Sequence, residues 1–120
     1  MVLLMKEILP VEGAMVAKKR GEGFVEMFDG VKRQSLIWGE RTHMVKFLLQ
    51  KGKEIPLHTH QHEQTGYLLG GRMVMQINGK DYELAEGDSW SIKSMVPHGV
   101  RVLDDCTVLE VFSPVREDYR

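Results

Sequence analysis

The chain has 120 residues, which is room for one domain, and 42% of them are hydrophobic. Its 16 basic and 17 acidic residues nearly cancel, so the net charge of the chain does not favour binding to nucleic acid or to an anionic membrane surface. The only basic cluster, Lys18-Lys19-Arg20, is typical of a solvated turn, because three charges are too few to line a nucleic-acid groove. We therefore expect a single domain over residues 1–120 with no nucleic-acid partner.

Neither export nor membrane insertion is indicated by the apolar segments. The run Met1–Met5 is shorter than the apolar core of an export signal, which needs about 7–15 residues. No segment approaches the roughly 18 apolar residues of a spanning helix. Cys106 is the only cysteine and lies in an apolar run, so we expect a buried, unreactive thiol and no disulfide. These features predict a cytoplasmic protein with no membrane partner.

The predicted elements are short strands, because glycines punctuate stretches rich in Val, Ile, Leu, Phe and Met. In chain order the predicted strands are Val25–Phe28, Lys32–Trp38, Met44–Gln50, Gln64–Leu69, Arg72–Ile77, Lys80–Leu84, Ser89–Ile92, His98–Leu103 and Thr107–Phe112. Asn78-Gly79 predicts a two-residue hairpin turn. The alternation of Met73, Met75 and Ile77 predicts core packing rather than a metal or redox role for the methionines. Strands this numerous must close or stack to hide their edges, so we expect an all-β barrel or jelly roll.

Histidines form two clusters that suggest a metal site. His58 and His60 are two residues apart, so on an extended strand both imidazoles leave the same face and can converge on one ion. A ligand four residues further along a straight strand would lie about 13 Å away, so either His62 or Gln64 joins only if the chain bends after His60. A final ligand must come from elsewhere, and an antiparallel barrel can bring His98 beside the first pair. Four of the five histidines fall into these clusters, which argues against ordinary surface histidines.

These residues resemble the two sequence motifs of the cupins over about residues 34–119. The matching pattern is Gly52-x5-His58-x-His60-x3-Gln64-x6-Gly71, followed by Gly87-Asp88 and Pro97-His98. The resemblance implies the cupin double-stranded β-helix, a jelly-roll barrel, with one divalent metal ion on His58, His60, Gln64 and His98. Most cupins carry glutamate where Gln64 stands, and His62 remains a substitute for Gln64. The ligand set suits Mn, Fe, Ni, Zn and Co alike.

The C-terminal segment is similar to that of the small cupins that act on unsaturated uronates from pectin and alginate. Those proteins convert the cyclic 4,5-unsaturated monouronate to its linear keto form. Phe112, Pro114 and Arg116 match their Asp-Val-Phe-x-Pro-x-Arg run, whereas Glu110 replaces the aspartate. The resemblance implies that Glu110 moves the proton and that Arg116 orients the substrate carboxylate.

The residues alone leave both of these roles open. Strand alternation places Glu110 either toward the barrel cavity or in solvent, since only one face of its strand is inward. Arg116 can fork onto a substrate carboxylate or close a surface ion pair with Glu117 or Asp118.

The function predicted is metal-dependent ring opening or tautomerisation of a small sugar acid. Three neutral imidazoles and one amide would leave the full charge on the ion, which favours polarising a substrate oxygen over oxygen chemistry. A cupin dioxygenase and a non-catalytic small-molecule binder are the alternatives. We expect a symmetric homodimer, because Met1–Leu4 is an apolar end and small cupins commonly pair through their sheets. His43, in an alternating strand, is assigned no role.

Overall fold

Strands make up all the regular structure of the described residues. The computed structural model describes the backbone of residues 8–120 and the side chains of residues 12–120. The strands are β1 Ile8–Val11, β2 Ala14–Ala17, β3 Phe24–Phe28, β4 Val31–Trp38, β5 His43–Leu49, β6 Glu54–His58, β7 Glu63–Ile77, β8 Lys80–Ala85, β9 Ser89–Ile92 and β10 His98–Ser113. Among these residues no helix has the length and apolarity to cross a membrane. Met1–Leu4, on which the predicted homodimer depends, lies outside the described residues.

The all-β prediction is confirmed, with differences in how the strands divide. The predicted pair Gln64–Leu69 and Arg72–Ile77 is one strand, β7. The two predicted strands around Leu103–Thr107 are likewise one strand, β10. The predicted strands did not include β1, β2 and β6, which are only four or five residues long, although the metal-site argument assumed an extended strand at His58.

The two long strands organise the fold. β10 pairs with β7 along most of its length, with β6 near its start and with β5 near its end. The main sheet runs β3-β4-β5-β10-β7-β8, with β6 attached to β10 and β9 attached to β7, while β1 and β2 form a separate hairpin. All these pairs are antiparallel, as in the predicted cupin jelly roll.

A glycine permits the irregular stretch where β7 and β10 change register. The β10–β7 pairing shifts three times between Val102 and Val108. Opposite this stretch Gly71 has a φ of +95°, and a Cβ there would overlap the backbone oxygen of Asp105. The Cys106 thiol packs against the same place and is buried, and burial raises its pKa, as expected for an unreactive cysteine.

Strand alternation builds the core. Met73 and Met75 are almost fully buried, which confirms their predicted packing role. The hairpin between β7 and β8 also forms as predicted, with positive φ at both Asn78 (50°) and Gly79 (85°). Near the end of β10 the side chains of Val108, Glu110 and Phe112 are buried and face the interior of the barrel.

Candidate metal centre and its cavity

Three histidines from separate segments meet at one point. One ring nitrogen from each of His58, His60 and His98 lies within 4.8 Å of the others. His58 ends β6 and pairs in register with His98 at the start of β10, and their ring centres lie 4.3 Å apart. His60 does not lie on the strand, as the spacing argument assumed, because β6 ends at His58. The chain turns between β6 and β7, and the His60 ring still comes to 4.8 Å from that of His98.

Backbone carbonyls fix the tautomer of all three rings. Nδ1 lies 2.8 Å from the Pro56 oxygen in His58 and 2.8 Å from the Val96 oxygen in His98. In His60 it lies 2.9 Å from the His62 oxygen. Because a carbonyl only accepts, each Nδ1 must carry the hydrogen, and each Nε2 keeps its lone pair in the neutral ring. This is the second-sphere arrangement that orients imidazole for a metal ion.

Burial also favours the neutral form of His60 and His98. It is the main cause that lowers the pKa of His98 to about 4, and the neighbouring His58 and His60 lower it further. The pKa of His60 is lowered chiefly by burial and next by the charge of Arg116. Neutral rings with free Nε2 atoms fit a divalent metal ion, so the triad is able to hold one.

Gln64 lies beside the triad with an unsatisfied oxygen. Its side chain is 5% exposed and lies near the start of β7. It raises the pKa of His60 and lowers that of Glu110, so it lies close to both. Its Oε1 is buried and has no hydrogen-bond partner among the described residues. An orphaned oxygen at this point is what a further metal ligand would offer.

His62 occupies a different position. It is half-buried, with its ring centre 6.5 Å from that of Phe112, and it does not line the cavity that holds the triad. Among the described histidines, those that cluster within metal-binding distance are His58, His60 and His98.

The triad opens into a cavity of about 310 Å³ inside the barrel. Its wall is mostly apolar, and its polar side chains are His58, His60, Gln64, His98, Glu110, Arg116 and Tyr119. Every predicted site residue therefore lines one cavity.

Glu110 is held in this cavity by a tryptophan two strands away. It pairs in register with Gly66 of β7, which in turn pairs with Trp90 of β9. A Cβ on Gly66 would overlap the Trp90 ring, so the glycine lets the indole lie across β7. The indole Nε1 then donates to Glu110 Oε1 at 2.8 Å.

The environment of Glu110 is that of a buried acid. The residue is 5% exposed, and burial raises the pKa of its carboxyl to about 8, while the Trp90 N–H and the nearby Gln64 side chain act in the opposite direction. Its Oε2 has no hydrogen-bond partner among the described residues. Because Oε1 accepts from an N–H, a proton on this carboxyl belongs on Oε2.

Arg116 follows β10 and is buried against aromatic rings. Its guanidinium carbon lies 3.8 Å from the centre of the Tyr119 ring and 4.9 Å from that of Phe112. Its Nε and Nη2 donate to the two carboxylate oxygens of Asp118 at 3.1 and 2.9 Å. Arg116 therefore lines the cavity and also makes one of the two ion pairs that the sequence allowed, while Glu117 pairs with Arg120.

The sequence analysis missed the residues that support Glu110 and Arg116. Trp90 and Gly66 carry a weak signal, since a glycine inside a strand often marks a close approach. His43, given no role, is fully buried and bonds to both Ser35 Oγ and the Arg116 N–H. No local pattern shows this, because His43 and Arg116 are 73 residues apart.

The family follows from residues 45–112, which match the cupin domain model. The chain belongs to the cupin family. It is 33% identical over 96 residues to the pectin degradation protein KdgF of Dickeya dadantii (strain 3937), covering 78% of this chain and 87% of that protein. The solved structure of KdgF from Halomonas sp. matches with a TM-score of 0.78 and 25% identity, covering 82% of this chain and 92% of that one. An RmlC-like cupin from Shewanella frigidimarina gives a TM-score of 0.77 and 31% identity, over 81% and 87% of the two chains.

Proposed function

We propose that this cupin converts a cyclic 4,5-unsaturated monouronate to its linear keto form. The observation that carries the proposal is a buried carboxyl, Glu110, with one free oxygen in the same cavity as the histidine triad. The similarity to pectin degradation proteins supports this class of substrate. A small sugar acid is also consistent with a cavity of about 310 Å³.

His58, His60, His98 and the amide oxygen of Gln64 would hold one divalent ion. The ion would supply polarisation of a substrate oxygen, which favours loss of the proton on that oxygen. Support for Gln64 comes from its buried, unpartnered Oε1. An amide and three neutral imidazoles add no negative charge, so the ion would keep its full polarising power.

The reaction requires one proton to leave and one to arrive. The anomeric hydroxyl loses its proton, and the bond between C1 and the ring oxygen breaks to leave an aldehyde. The ring oxygen becomes the enol oxygen on C5, and a proton added at C4 gives the ketone. The product has the atoms of the substrate, so no co-reactant is needed.

Glu110 is suited to carry this proton. A carboxyl with a pKa of about 8 both gives and takes a proton near neutrality. The Trp90 N–H occupies Oε1, which leaves Oε2 to exchange the proton with substrate.

Arg116 would bind the substrate carboxylate. Asp118 accepts from Nε and Nη2 of the guanidinium, so Asp118 does not use the Nη1 hydrogens, which would donate to the substrate carboxylate. The proposal extends to a cytoplasmic enzyme whose partner is a small sugar acid, and the homodimer stays a prediction.

The test is turnover of 4,5-unsaturated galacturonate by the metal-loaded protein, followed by loss of the ultraviolet absorbance of the double bond. We expect Glu110→Gln to lower kcat about 100-fold, as for loss of a general acid–base group. Glu110→Asp, which introduces the aspartate usual in the uronate cupins, is the matched control and should retain more activity than Glu110→Gln. Arg116→Ala should chiefly raise KM.

Absence of turnover in wild type would contradict the proposal. Oxygen consumption by iron-loaded protein would then favour a dioxygenase. Binding of a sugar acid that raises the melting temperature without turnover would favour a non-catalytic binder.

A further inference from the structure

The position of Arg116 depends on a residue from a distant strand. Its backbone N–H donates to Nδ1 of His43 at 3.2 Å, where β5 begins. His43 is 0% exposed, so no water competes for this bond. Arg116 in turn opens the C-terminal turn, because its carbonyl accepts from the N–H groups of Tyr119 and Arg120.

The ring of His43 can have only one hydrogen-bonding state in this place. Since a backbone N–H only donates, Nδ1 must be the acceptor and Nε2 must carry the ring hydrogen. That hydrogen points to Ser35 Oγ, 2.6 Å away on β4. The imidazole thus bridges two strands and the C-terminal turn through one fixed tautomer.

A polar ring in this buried site is explained by the two hydrogen bonds that it makes. A buried polar ring costs free energy unless its bonds are made, and both bonds of His43 are committed to Ser35 and Arg116. Trp38 packs edge-on against the His43 ring, with the ring centres 5.6 Å apart, so the surroundings would also accommodate an apolar aromatic side chain at position 43. The feature that requires an acceptor here is the Arg116 N–H.

The side chain of Arg116 is restrained as firmly as its backbone. Asp118 holds its Nε–Nη2 edge, and the rings of Tyr119 and Phe112 lie against the guanidinium. A shift of the backbone at Arg116 would therefore move the guanidinium together with Asp118 and Tyr119, its two contacts within the turn. Displacement of about 1 Å at a positioned group is enough to impair binding or catalysis strongly.

We propose that His43 is a positioning residue that fixes Arg116 for the carboxylate of the substrate. The role rests on the proposed function, in which Arg116 binds that carboxylate. Ser35 acts one step further away by holding the His43 ring, and neither residue contacts the reacting atoms.

Two isosteric variants separate positioning from structural support. The side-chain oxygen of asparagine falls near Nδ1 of histidine, so His43→Asn keeps an acceptor for the Arg116 N–H. His43→Gln reaches toward Ser35 instead and has no group at Nδ1. Each variant loses one of the two bonds, so both should lower the melting temperature by similar amounts.

The expected kinetic result differs between the two variants. His43→Gln should raise KM for 4,5-unsaturated galacturonate about tenfold with kcat within about threefold of wild type, and His43→Asn should leave KM within about threefold. Ser35→Ala keeps the Nδ1 acceptor and removes only the partner of Nε2, so it should lower stability and raise KM by less than His43→Gln does. Should His43→Gln not fold, His43→Met fills the space without a strong acceptor and is expected to share its high KM. Equal KM values in the folded variants would overturn the proposal.

A second measurement does not depend on turnover. Galacturonate carries the same carboxylate but has no ring double bond, so calorimetric titration of the metal-loaded protein measures binding alone. His43→Gln should bind it about tenfold more weakly, His43→Asn about as well as wild type, and the Arg116 amide should exchange faster in His43→Gln only.

The two failures are distinguishable. If wild type binds galacturonate but has no activity on unsaturated uronates, the proposed function is wrong, and the differential binding still decides the role of His43. If the Arg116 amide exchanges alike in both variants, the positioning role is wrong, whether or not wild type turns over unsaturated uronates or binds galacturonate.

Discussion

The two sides of the cavity are held by contacts of very different range. On the histidine side, formed by His58, His60 and His98, each Nδ1 bonds to a carbonyl only two residues away. On the acid side, formed by Glu110 and Arg116, the Glu110 carboxyl and the Arg116 backbone are held from 20 and 73 residues away, and only the Arg116 guanidinium has a local partner, Asp118. Local segments therefore orient the three histidine rings, whereas contacts across the barrel orient the Glu110 carboxyl and the Arg116 backbone.

This difference has a consequence for how each side fails. A change on the histidine side removes a ligand and leaves the sheet intact, so its effect is concentrated on metal binding. A change on the acid side passes through Trp90 or His43, which are part of the buried interior, and so affects both activity and stability.

The largest effect should follow from breaking the histidine side. We expect close to one divalent ion per chain in wild type and less than about a tenth of that in His98→Ala, because two imidazoles bind far more weakly than three. Metal analysis after dialysis measures this. Gln64→Ala is the graded comparison and should weaken affinity about tenfold, since an amide oxygen is the poorest of the four ligands. Full occupancy in His98→Ala would show that the ion lies elsewhere.

Much of the histidine side was readable from the sequence, for the same reason that it is locally built. The spacing of His58 and His60 indicated convergence on one ion, an antiparallel barrel allowed His98 to join them, and the cupin resemblance favoured Gln64 over His62. The assumption that His60 continues the strand was wrong, because β6 ends at His58 and the chain turns there. A spacing rule gives the distance between two residues but not where the strand between them ends.

The acid side was readable only in part. Alternation correctly allowed Glu110 to face inward with Val108 and Phe112, but it could not choose the face. The contact of Trp90 with Glu110 needs the register of three strands, and that of His43 with Arg116 needs the closed barrel. Such pairings depend on topology, which local sequence patterns do not reveal.

A smaller effect should follow from breaking the contact of Trp90 with Glu110. A Cβ in Gly66→Ala would overlap the indole, displace it and remove the hydrogen bond to Glu110 Oε1. The indole N–H lowers the pKa of the Glu110 carboxyl, so its loss should raise that pKa further from the working pH and lower kcat on the unsaturated uronate about tenfold, less than Glu110→Gln does. Metal content should not change, because the triad does not depend on this contact.

The matched variant is Trp90→Phe, which keeps an aromatic ring but removes the N–H. It should reproduce the loss of kcat without the steric overlap. If Gly66→Ala loses activity and Trp90→Phe does not, the overlap rather than the hydrogen bond is responsible, and Glu110 does not depend on the indole.

The smallest effect concerns stability and sharpens the account of His43. Burial, followed by the charge of Arg116, lowers the pKa of His43 to about 4. The other charges that act on the ring are Asp118, Glu117 and Arg120. Protonation would place a hydrogen on Nδ1 against the Arg116 N–H, so the folded protein keeps this ring neutral.

The direction of the pH dependence follows from this depressed pKa. Below the ordinary histidine value of 6.5 the unfolded chain takes up a proton at His43 that the folded chain refuses until about pH 4. The contribution of the neutral ring is therefore complete above pH 6.5 and is lost as the pH falls toward 4. The free energy of unfolding of wild type relative to His43→Asn should fall by about 2 kcal/mol between neutrality and about pH 5. Urea unfolding of the metal-free proteins measures it, and His60 and His98 cancel in the difference because both proteins contain them. A constant difference over this range would mean that His43 accepts a proton as readily in the folded state as in the unfolded chain, and that its bond with Arg116 does not hold the ring neutral.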